Sequence, residues 1–404
     1  MKILVLNCGS SSIKFQLINM TDQSLLAEGI VERIGEKTAL YTYKSDVFTK
    51  KKHEMVIENH EKGIKLILEN LMDKENGVIA NVEEISAVGH RLVHAGEYYS
   101  DAVQINDDVM DKLKICSALA PLHNPANIMG VEAVKSAMPS TAQCGVFDTA
   151  FHQTMPAKAY LYPLPLEFYE KDKIRRYGFH GTSHKYVSMK AAEYLKKDLK
   201  ELKIISCHLG NGASITAIKY GKSIDTSMGL TPLEGLMMGT RCGDIDPAII
   251  IHFVKQMGYS IDEVNNIINK KSGMLGLSQI SNDMREIENA IKDHNDQKAI
   301  QALDVYAYKI KKYIGSYTAA MNGVDVIVFT GGVGENMSLL RDMVLSDMEF
   351  FGIKLDKEKN KIFNSEIVNL TATDSKVTIL KVPTNEELMI AEETVELLET
   401  GVRG

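Results

Sequence analysis

Polar side chains in this sequence recur where apolar stretches end in short loops. The first such loop, Asn7-Cys-Gly-Ser-Ser-Ser-Ile-Lys14, follows the apolar run Ile3–Leu6 and leads into an alternating stretch. Small residues let backbone N–H groups approach an anion closely, and hydroxyls and a lysine suit phosphate. An ordinary serine-rich hairpin fits this loop as well, because short Gly/Ser motifs are common. The remaining loops must decide between the two interpretations.

Further loop ends carry groups suited to metal and phosphate. The polar residues at these positions are Asn7, Ser10, Ser12, Lys14, Arg91, His123, Asp148, His180, Asn211, Arg241 and Glu386. Asparagine and carboxylate oxygens suit a magnesium nucleotide, since Mg²⁺ takes one or two protein oxygens together with phosphates. Arginine and histidine suit a phosphoryl group in transfer, whose charge spreads over three oxygens. The set therefore indicates phosphoryl transfer.

Each of these residues also has an ordinary structural explanation. A single arginine or histidine in a loop is more often a surface or hydrogen-bonded residue than a catalytic one. His180 and His184 have a spacing that can bind metal, but no nearby Cys or Glu completes a tetrahedral set. What favours a site is the number of loop ends that carry such residues.

The composition is typical of a soluble, cytoplasmic protein. The chain has 404 residues, of which 45% are hydrophobic and 25% charged, and its net charge is -7. The negative charge argues against a nucleic-acid partner. Five cysteines without a Cys-x-x-Cys spacing indicate neither disulfides nor zinc. No apolar run approaches the ~20 residues of a membrane span, so we expect no membrane partner.

One pattern occurs twice in the sequence. Lys203–Tyr220 repeats the opening arrangement of an apolar run, a polar glycine turn and a returning strand. The repeat indicates a duplicated β-rich unit, and two similar units facing each other would form a cleft. The proline- and charge-rich stretch 153–177 is the expected crossover. We therefore predict a boundary between two domains near residue 150.

A third glycine turn and a capped helix follow the repeated pattern. The turn within Val326–Asn336 follows an apolar strand and is expected to lead into a helix beginning near Asn336. Such a turn can hold a phosphate or ribose, although simple turn chemistry also explains it. A helix is predicted over Ser183–Leu199, with Thr182 or Ser183 as its cap.

Two further helices complete the prediction. The first is a long helix over Gln297–Met321, and the second is the last helix of the sequence, which would begin after Thr384. Thr384 and Glu387 have the spacing of a capping box, which would give Glu387 a structural role. Glu386 is then the carboxylate left for chemistry.

Taken together, these motifs resemble the acetokinase family. The matches run in order over nearly the whole chain: NCGSSSIKF (Asn7–Phe15), GHRLVHAG (Gly89–Gly96), APLHNP (Ala120–Pro125), FDTAFH (Phe147–His152), RRYGFHGTSH (Arg175–His184), HLGNGAS (His208–Ser214), DTSMGLTPLEGLMMGTRCGDIDP (Asp225–Pro247), TGGVGEN (Thr330–Asn336) and PTNEE (Pro383–Glu387). The resemblance implies an α/β fold of the actin, sugar kinase and Hsp70 superfold. Two duplicated ribonuclease H-like βββαβαβα domains would flank an interdomain cleft, and the C-terminal helix would return to the first domain. The implied domains are 1–150 plus 384–404, and 151–383.

The resemblance also implies roles for individual residues. Mg²⁺, for which Mn²⁺ can substitute, would be held by Asn7 and Glu386. Acetate would be bound by Arg91, with its methyl group among Val93, Leu122, Phe179 and Pro232. The catalytic residues would be Arg91, His123, Asp148, His180 and Arg241. ATP or ADP would be surrounded by Ser10, Ser12, Lys14, His208, Leu209, Gly210, Asn211, Gly212, Asp283, Met284, Arg285, Gly331, Gly332, Val333, Gly334 and Glu335.

The implied activity is reversible phosphoryl transfer from ATP to acetate in a homodimer, giving acetyl phosphate and ADP. Acetate is already ionised at pH 7 and needs no base, so Asp148 would organise magnesium waters or orient substrate. A kinase for propionate or butyrate is the nearest alternative. A nucleotide-switched module without catalysis would need no acid pocket, and a sugar kinase would need a base. Arg91, His180 and Arg241 favour the carboxylate kinase over both.

Overall fold

The computed structural model describes residues 1–121 and 123–401. The chain divides into two compact units. Unit 1 comprises Met1–Gln153 together with the chain from Asn385 onward, and unit 2 comprises Thr154–Thr384. Each unit is built on its own sheet, with helices packed against it.

Unit 1 has a mixed sheet that starts as an antiparallel meander. Its strands are β1 (Lys2–Gly9), β2 (Ser12–Asn19), β3 (Ser24–Glu32), β4 (Ala39–Ser45), β5 (Thr49–Met55), β6 (Ile85–Leu92), β7 (Val103–Gln104) and β8 (Ala142–Phe147). They lie in the order β5-β4-β3-β2-β1-β6-β8-β7, and β1, β6 and β8 are parallel. The helices are α1 (His60–Leu71), α2 (Asp107–Cys116), α3 (Asn124–Ala137) and α14 (Glu386–Thr400).

Unit 2 has a second mixed sheet. Its strands are β9 (Lys203–Leu209), β10 (Ala213–Lys219), β11 (Lys222–Thr226), β12 (Val326–Thr330), β13 (Val368–Asn369) and β14 (Thr378–Lys381), in the order β11-β10-β9-β12-β14-β13. Its helices are α4 (Ala157–Tyr160), α5 (Glu167–Asp172), α6 (Gly181–Leu195), α7 (Ala248–Lys255), α8 (Ile261–Lys270), α9 (Gly273–Ser278), α10 (Met284–His294), α11 (Gln297–Met321), α12 (Gly331–Asn336) and α13 (Ser338–Leu345).

The two sheets share one topology. The order β3-β2-β1-β6-β8 in unit 1 corresponds to β11-β10-β9-β12-β14 in unit 2. In each, the first strand of the unit pairs antiparallel with the second and parallel with the fourth of these five. The duplication predicted from the repeated glycine turn is confirmed. Because parallel strands end at the same edge, each sheet brings several loop ends together.

The core of unit 1 fixes the strands that carry these loops. Ile13, Phe15 and Leu17 alternate along β2 and are buried with Ile64 and Ile67 from α1. Period two in the strand and helical spacing in α1 direct both sets to one interior. Each such buried side chain stabilises the unit by ~1.5–3 kcal/mol.

The last helix of the chain packs on the first unit. α14 contacts β1 and β6, whereas α6, which follows β8 in the chain, contacts β9 and β12 of unit 2. The contact of α14 is close at Gly89, where a Cβ atom would lie 2.6 Å from Thr394 Oγ1 and 2.8 Å from Ile390. This packing delivers Glu386, the first residue of α14, to the sheet of unit 1.

The helix boundaries partly match the sequence prediction. α11 spans Gln297–Met321 as predicted. The helix predicted over Ser183–Leu199 instead spans Gly181–Leu195, because left-handed His180 (φ 57°) and Lys196 (φ 52°) set its ends. No helix within residues 1–121 and 123–401 combines the length and apolarity needed to cross a membrane.

Candidate active site

Arg91 is the centre of a polar cluster in unit 1. Its Nε donates to Asp148 Oδ1 at 3.1 Å and its Nη2 to Asp148 Oδ2 at 2.5 Å. Its Nη1 donates to Asn7 Oδ1 at 3.4 Å, and its Nε lies 3.9 Å from Glu386 Oε2. Asn7, Arg91 and Asp148 come from the ends of the neighbouring strands β1, β6 and β8, and Glu386 begins α14. The structure therefore brings these four predicted residues together.

Charge in this cluster is only partly balanced. The Asp148 side chain is 3% exposed, and those of Arg91 and Glu386 are 25% and 23% exposed. Burial raises the pKa of the Asp148 and Glu386 carboxyl groups, and the Arg91 guanidinium opposes that rise. Asp148 in turn raises the pKa of Arg91, so the guanidinium stays protonated. Two carboxylates share this guanidinium, which leaves excess negative charge.

The oxygen donors of the cluster fit a magnesium ion. Carboxylate and amide oxygens are the hard ligands that Mg²⁺ prefers, and Asn7 and Glu386 supply one of each. Within the described part of the chain, no three His, Cys, Asp or Glu side chains form a group that could hold a metal.

The first loop and the start of α14 differ in part from the prediction. Asn385 caps α14, with its Oδ1 accepting from Leu388 N at 2.9 Å. The predicted capping box of Thr384 and Glu387 is therefore wrong, because Glu387 forms an ion pair with Lys14 instead. Predicted phosphate residues Ser10 and Ser12 lie at the β1–β2 turn, exposed and half-buried respectively.

The predicted acetate residues of unit 1 follow β6 and precede α3. Val93 is buried, and its N–H donates to Asn127 Oδ1 at 3.0 Å. Asn127 also donates to Cys8 O at 2.9 Å, so it joins the end of β1 to the start of the loop after β6. The sequence prediction missed Asn127. An amide side chain at a core-facing position of a predicted helix is the signal that could have identified it. His123 directly precedes α3, its side chain makes no capping hydrogen bond, and it interacts electrostatically with Asp148. Leu122 lies outside the described residues.

A second cluster, in unit 2, surrounds Gly212. A Cβ atom at Gly212 would lie 3.1 Å from Arg241 Nη2 and 3.5 Å from the His180 ring. Arg241 Nη1 donates to Pro232 O at 2.5 Å, and Phe179 is buried beside His180 in the chain. Burial lowers the pKa of Arg241, so an anionic ligand would favour its charged form.

Serine hydroxyls fix the histidines of this cluster. His180 Nδ1 lies 2.9 Å from Ser214 Oγ, and His208 Nδ1 lies 2.8 Å from Ser183 Oγ. The rings of His180 and His208 stack with centroids 4.2 Å apart. The prediction that Thr182 or Ser183 caps α6 is wrong, because both lie inside this helix. No contact with a histidine was predicted for Ser183 or Ser214, because such contacts depend on how β9, β10 and α6 pack.

A cavity of about 230 Å³ lies in unit 2 beside the β9–β10 turn. Predicted nucleotide residues line it together with residues the prediction missed, and the full lining is Gly210, Asn211, Met238, Gly239, Met274, Asn282, Asp283, Met284, Tyr306 and Val333. Asn282 Nδ2 donates to Asn211 Oδ1 at 3.1 Å and so holds one wall. Asp283 caps α10 and pairs with Arg285, whose hydrogen bonds lower the pKa of Asp283 to about 2.

The third glycine turn packs against the end of β9. Gly331 has φ +77°, and a Cβ there would lie 2.8 Å from Leu209 O. The segment from Gly331 through Gly332 and Gly334 is itself helical, so a short helix, α12, already begins at Gly331. The next helix, α13, begins at Ser338, close to the start predicted near Asn336. Glu335 Oε1 accepts from Gly331 N at 2.9 Å and from Thr384 N at 3.2 Å.

Solved structures define the class of this fold. The crystal structure of Porphyromonas gingivalis acetate kinase superposes with a TM-score of 0.95 and 48% identity, covering 98% of this chain and 99% of that chain. A propionate kinase from Francisella tularensis subsp. tularensis SCHU S4 gives a TM-score of 0.89 and 44% identity, covering 97% and 98%. The fold is that of the actin, sugar kinase and Hsp70 superfamily, as predicted.

Sequence comparison gives the family. The model of the acetokinase family matches residues 2–392. The acetate kinase of Thermoanaerobacter pseudethanolicus is 56% identical over 399 residues, which cover 99% of each chain. The chain therefore belongs to the acetokinase family, and the resemblance drawn from its motifs is confirmed.

The raised pKa of Glu386 predicts how a neutral variant behaves. Because the folded protein holds this proton more readily than the unfolded chain, the Glu386 carboxylate costs stability as pH rises above its ordinary pKa of 4.5. Glu386→Gln removes that cost. Without divalent cations, we expect the Tm of the variant minus the Tm of the parent to be about 2–4 °C larger at pH 8 than at pH 5. Thermal denaturation followed by circular dichroism in EDTA measures this.

Glu396→Gln is the matched control, because Glu396 is an exposed residue of the same helix. Its Tm relative to the parent should not depend on pH. A Glu386→Gln difference as flat as that of the control would contradict the assigned charge imbalance.

Proposed function

We propose that this chain transfers the γ-phosphoryl group of ATP to acetate, reversibly, giving acetyl phosphate and ADP. The observation that carries the proposal is the Arg91 fork beside Asn7, Asp148 and Glu386, in a chain of the acetokinase family. Relatives that are 55–56% identical over nearly the full chain are acetate kinases. The Arg91 cluster and these relatives together favour a carboxylate as the phosphoryl acceptor.

The proposed nucleotide site lies in unit 2. The cavity beside Gly210, Asn211 and Asp283 supports a place for the nucleoside, and the glycine turn at Gly331 supports phosphate binding. Lys14 in unit 1 is proposed to contact phosphate as well. Arg241, a cation, and His180, which becomes a cation when protonated, lie next to Gly212. Both would stabilise the charge of the transferring phosphoryl group.

The proposed acceptor chemistry needs positioning more than proton transfer. Acetate is ionised at neutral pH, so no base has to remove a proton. The guanidinium fork of Arg91 matches the two oxygens of a carboxylate, as its contact with Asp148 illustrates. Asp148 occupies the Nε and Nη2 edge and would orient the guanidinium toward acetate, and we propose direct in-line attack by the acetate oxygen on the γ-phosphorus. The buried side chain of Val93 supports an apolar place for the methyl group beside Arg91.

Mg²⁺ is the proposed metal, with Asn7 and Glu386 as its protein ligands and Mn²⁺ as a substitute. When bound, it supplies positive charge to the phosphate oxygens. The excess negative charge around Arg91 supports this assignment. Two anions must also meet for reaction, and Arg91 and Arg241 reduce their repulsion.

A propionate kinase is the second candidate, because a solved structure of a propionate kinase is 44% identical to this chain in a match that covers 98% of that kinase. The two substrates differ by one methylene. An apolar pocket discriminates a methylene by only ~1–3 kcal/mol, so the distinction must be measured.

A hydroxamate assay of acyl phosphate formation tests the function. We expect kcat/KM to decrease from acetate to propionate by about tenfold or more, and to decrease again for butyrate. A preference for propionate would select the second candidate. No acyl phosphate from any of the three acids, with ATP and Mg²⁺ present, would refute a carboxylate kinase.

Arginine substitutions test the proposed roles in turnover. Arg91→Ala and Arg241→Ala each remove a positioned cation and should lower kcat/KM for acetate by about 10²–10³. Arg33→Ala, which removes an exposed arginine of unit 1, should leave activity near that of the parent. Circular dichroism verifies that each variant is folded. Near-normal turnover in both active-site variants would contradict the proposal.

A cytoplasmic location and a homodimer are also proposed. The cysteines Cys8, Cys116, Cys144, Cys207 and Cys242 are free thiols, which supports a reducing compartment. Every residue of the apolar helix α7 is at least partly exposed. Large apolar side chains extend beyond both ends of α7, and the exposed ones are Ile245, Ile249, Ile251, Val254, Met257 and Ile261. An exposed apolar surface of this kind supports burial against a second copy.

Charge introduced on α7 tests the dimer. The parent should elute in size-exclusion chromatography at twice the chain mass of 44.9 kDa. Ile251→Asp places a charge where the side chain is 56% exposed and should shift the protein toward a monomer. Phe350→Asp, at a 94% exposed position elsewhere in unit 2, is the matched control and should leave elution unchanged. A monomeric parent would refute the dimer.

A further inference from the structure

Arg176 lies in the segment leading to His180, and no role was assigned to it. Its side chain is 17% exposed, and its guanidinium contacts a loop of unit 2. Nη1 donates to the backbone oxygens of Thr226 at 2.7 Å, Ser227 at 3.1 Å and Met228 at 3.3 Å. Nη2 donates to Glu234 Oε1 at 2.6 Å, so one guanidinium holds both ends of the loop 226–234.

Tyr162 completes the support of this loop. Its hydroxyl donates to Glu234 Oε2 and accepts from Leu230 N at 2.9 Å. At Gly229, a Cβ atom would lie 1.8 Å from Glu234 Oε2 and 2.3 Å from the Tyr162 hydroxyl. The loop therefore closes around this carboxylate and hydroxyl pair, and a side chain at Gly229 would displace it.

Backbone contacts join the same loop to the His180 segment. Tyr177 N and Gly178 N both donate to Gly229 O, at 3.1 and 3.2 Å. Arg176 N also donates to Tyr160 O at 2.8 Å. The chain then passes through Phe179 to His180, so the segment 176–180 and the loop 226–234 are fixed to each other.

The loop also reaches the second cation of the cluster. Arg241 Nη1 donates to Pro232 O at 2.5 Å, and Pro232 lies within the loop 226–234. Gly212 is close to both Arg241 and His180. Any shift of the loop relative to the segment 176–180 would therefore change the separation of Arg241 from His180.

We infer that Arg176 is a positioning residue that sets where Arg241 lies relative to His180, acting through Glu234 and the loop 226–234. The inference rests on the proposed function. A lysine could not replace this arginine, because one ammonium group cannot span the carboxylate and three backbone oxygens. Displacement of a reacting group by ~1 Å can reduce turnover about 10²-fold.

A double-mutant cycle between Arg176→Lys and Arg241→Ala tests this coupling in the full chain. In the hydroxamate assay with acetate, Arg176→Lys should lower kcat by about 10–100-fold and change the KM for ATP and for acetate by less than about threefold. In the Arg241→Ala background it should cause no further loss. Equal losses in both backgrounds would overturn the inference.

Arg341→Lys is the matched control. Arg341 is a buried arginine of unit 2 that donates to Gly334 O at 2.7 Å and Glu335 O at 3.0 Å, away from the loop 226–234. Its effect should be the same in the parent and in the Arg241→Ala background. If Arg341→Lys also lost its effect there, the coupling would not be specific to Arg176 and the inference would fail.

Tyr162→Phe provides a milder second variant if Arg176→Lys does not fold. It removes one hydroxyl from the Glu234 pair and should lower kcat by about 3–10-fold, again only when Arg241 is present. An additive effect would overturn the inference. A parent without acyl phosphate formation would instead refute the proposed function, so the two failures are distinguishable.

Discussion

The polar cluster in unit 1 depends on the ion pair of Arg91 and Asp148. Both oxygens of a carboxylate that is 3% exposed contact one guanidinium, and this requires β6 and β8 to end at the same level. Breaking such a buried pair by removing one partner costs ~3–5 kcal/mol, because the other charge remains buried. The parallel register of β6 with β8, in which Arg91 pairs with Val146, is thus an electrostatic requirement as well as a packing one.

Serine hydroxyls hold the histidines of unit 2, whereas an ion pair holds Arg91 in unit 1. His184 lies in the interior with Nδ1 2.9 Å from Ser206 Oγ and Nε2 2.8 Å from Ser214 Oγ. Ser214 also contacts His180, so one hydroxyl joins two imidazoles. A hydroxyl can donate to one ring nitrogen while accepting from the other, which links the tautomers of the two histidines. The same duplicated fold thus supports two different kinds of polar cluster.

Much of the fold could be predicted because strands and turns follow local rules. The repeated glycine turns indicated the duplication, and strand ends located Asn7, Arg91 and Asp148. The predicted helix start and capping box were wrong where a single residue has more than one possible local conformation or partner. His180 takes a left-handed conformation, and Glu387 pairs with Lys14, which is distant in sequence. Neither outcome is visible in a local pattern.

The site could be predicted only as far as residue types at loop ends allow. Asn127, in the first turn of α3, joins the end of β1 to the loop after β6, and Tyr162 contacts Glu234, which is distant in sequence. Such contacts depend on three-dimensional packing, so sequence spacing cannot reveal them. The roles of the individual predicted residues in binding and turnover stay predictions.

The return of α14 to unit 1 also bears on how the protein is made. A ribosome completes residues 1–153 long before it reaches Asn385, and until then the face of β6 at Gly89 lacks the helix that covers it. Glu386, the carboxylate beside Arg91, arrives with that same helix. The nascent chain must therefore hold an unfinished apolar surface through the synthesis of all of unit 2. The polar cluster can therefore be assembled only after all of unit 2 has been synthesised.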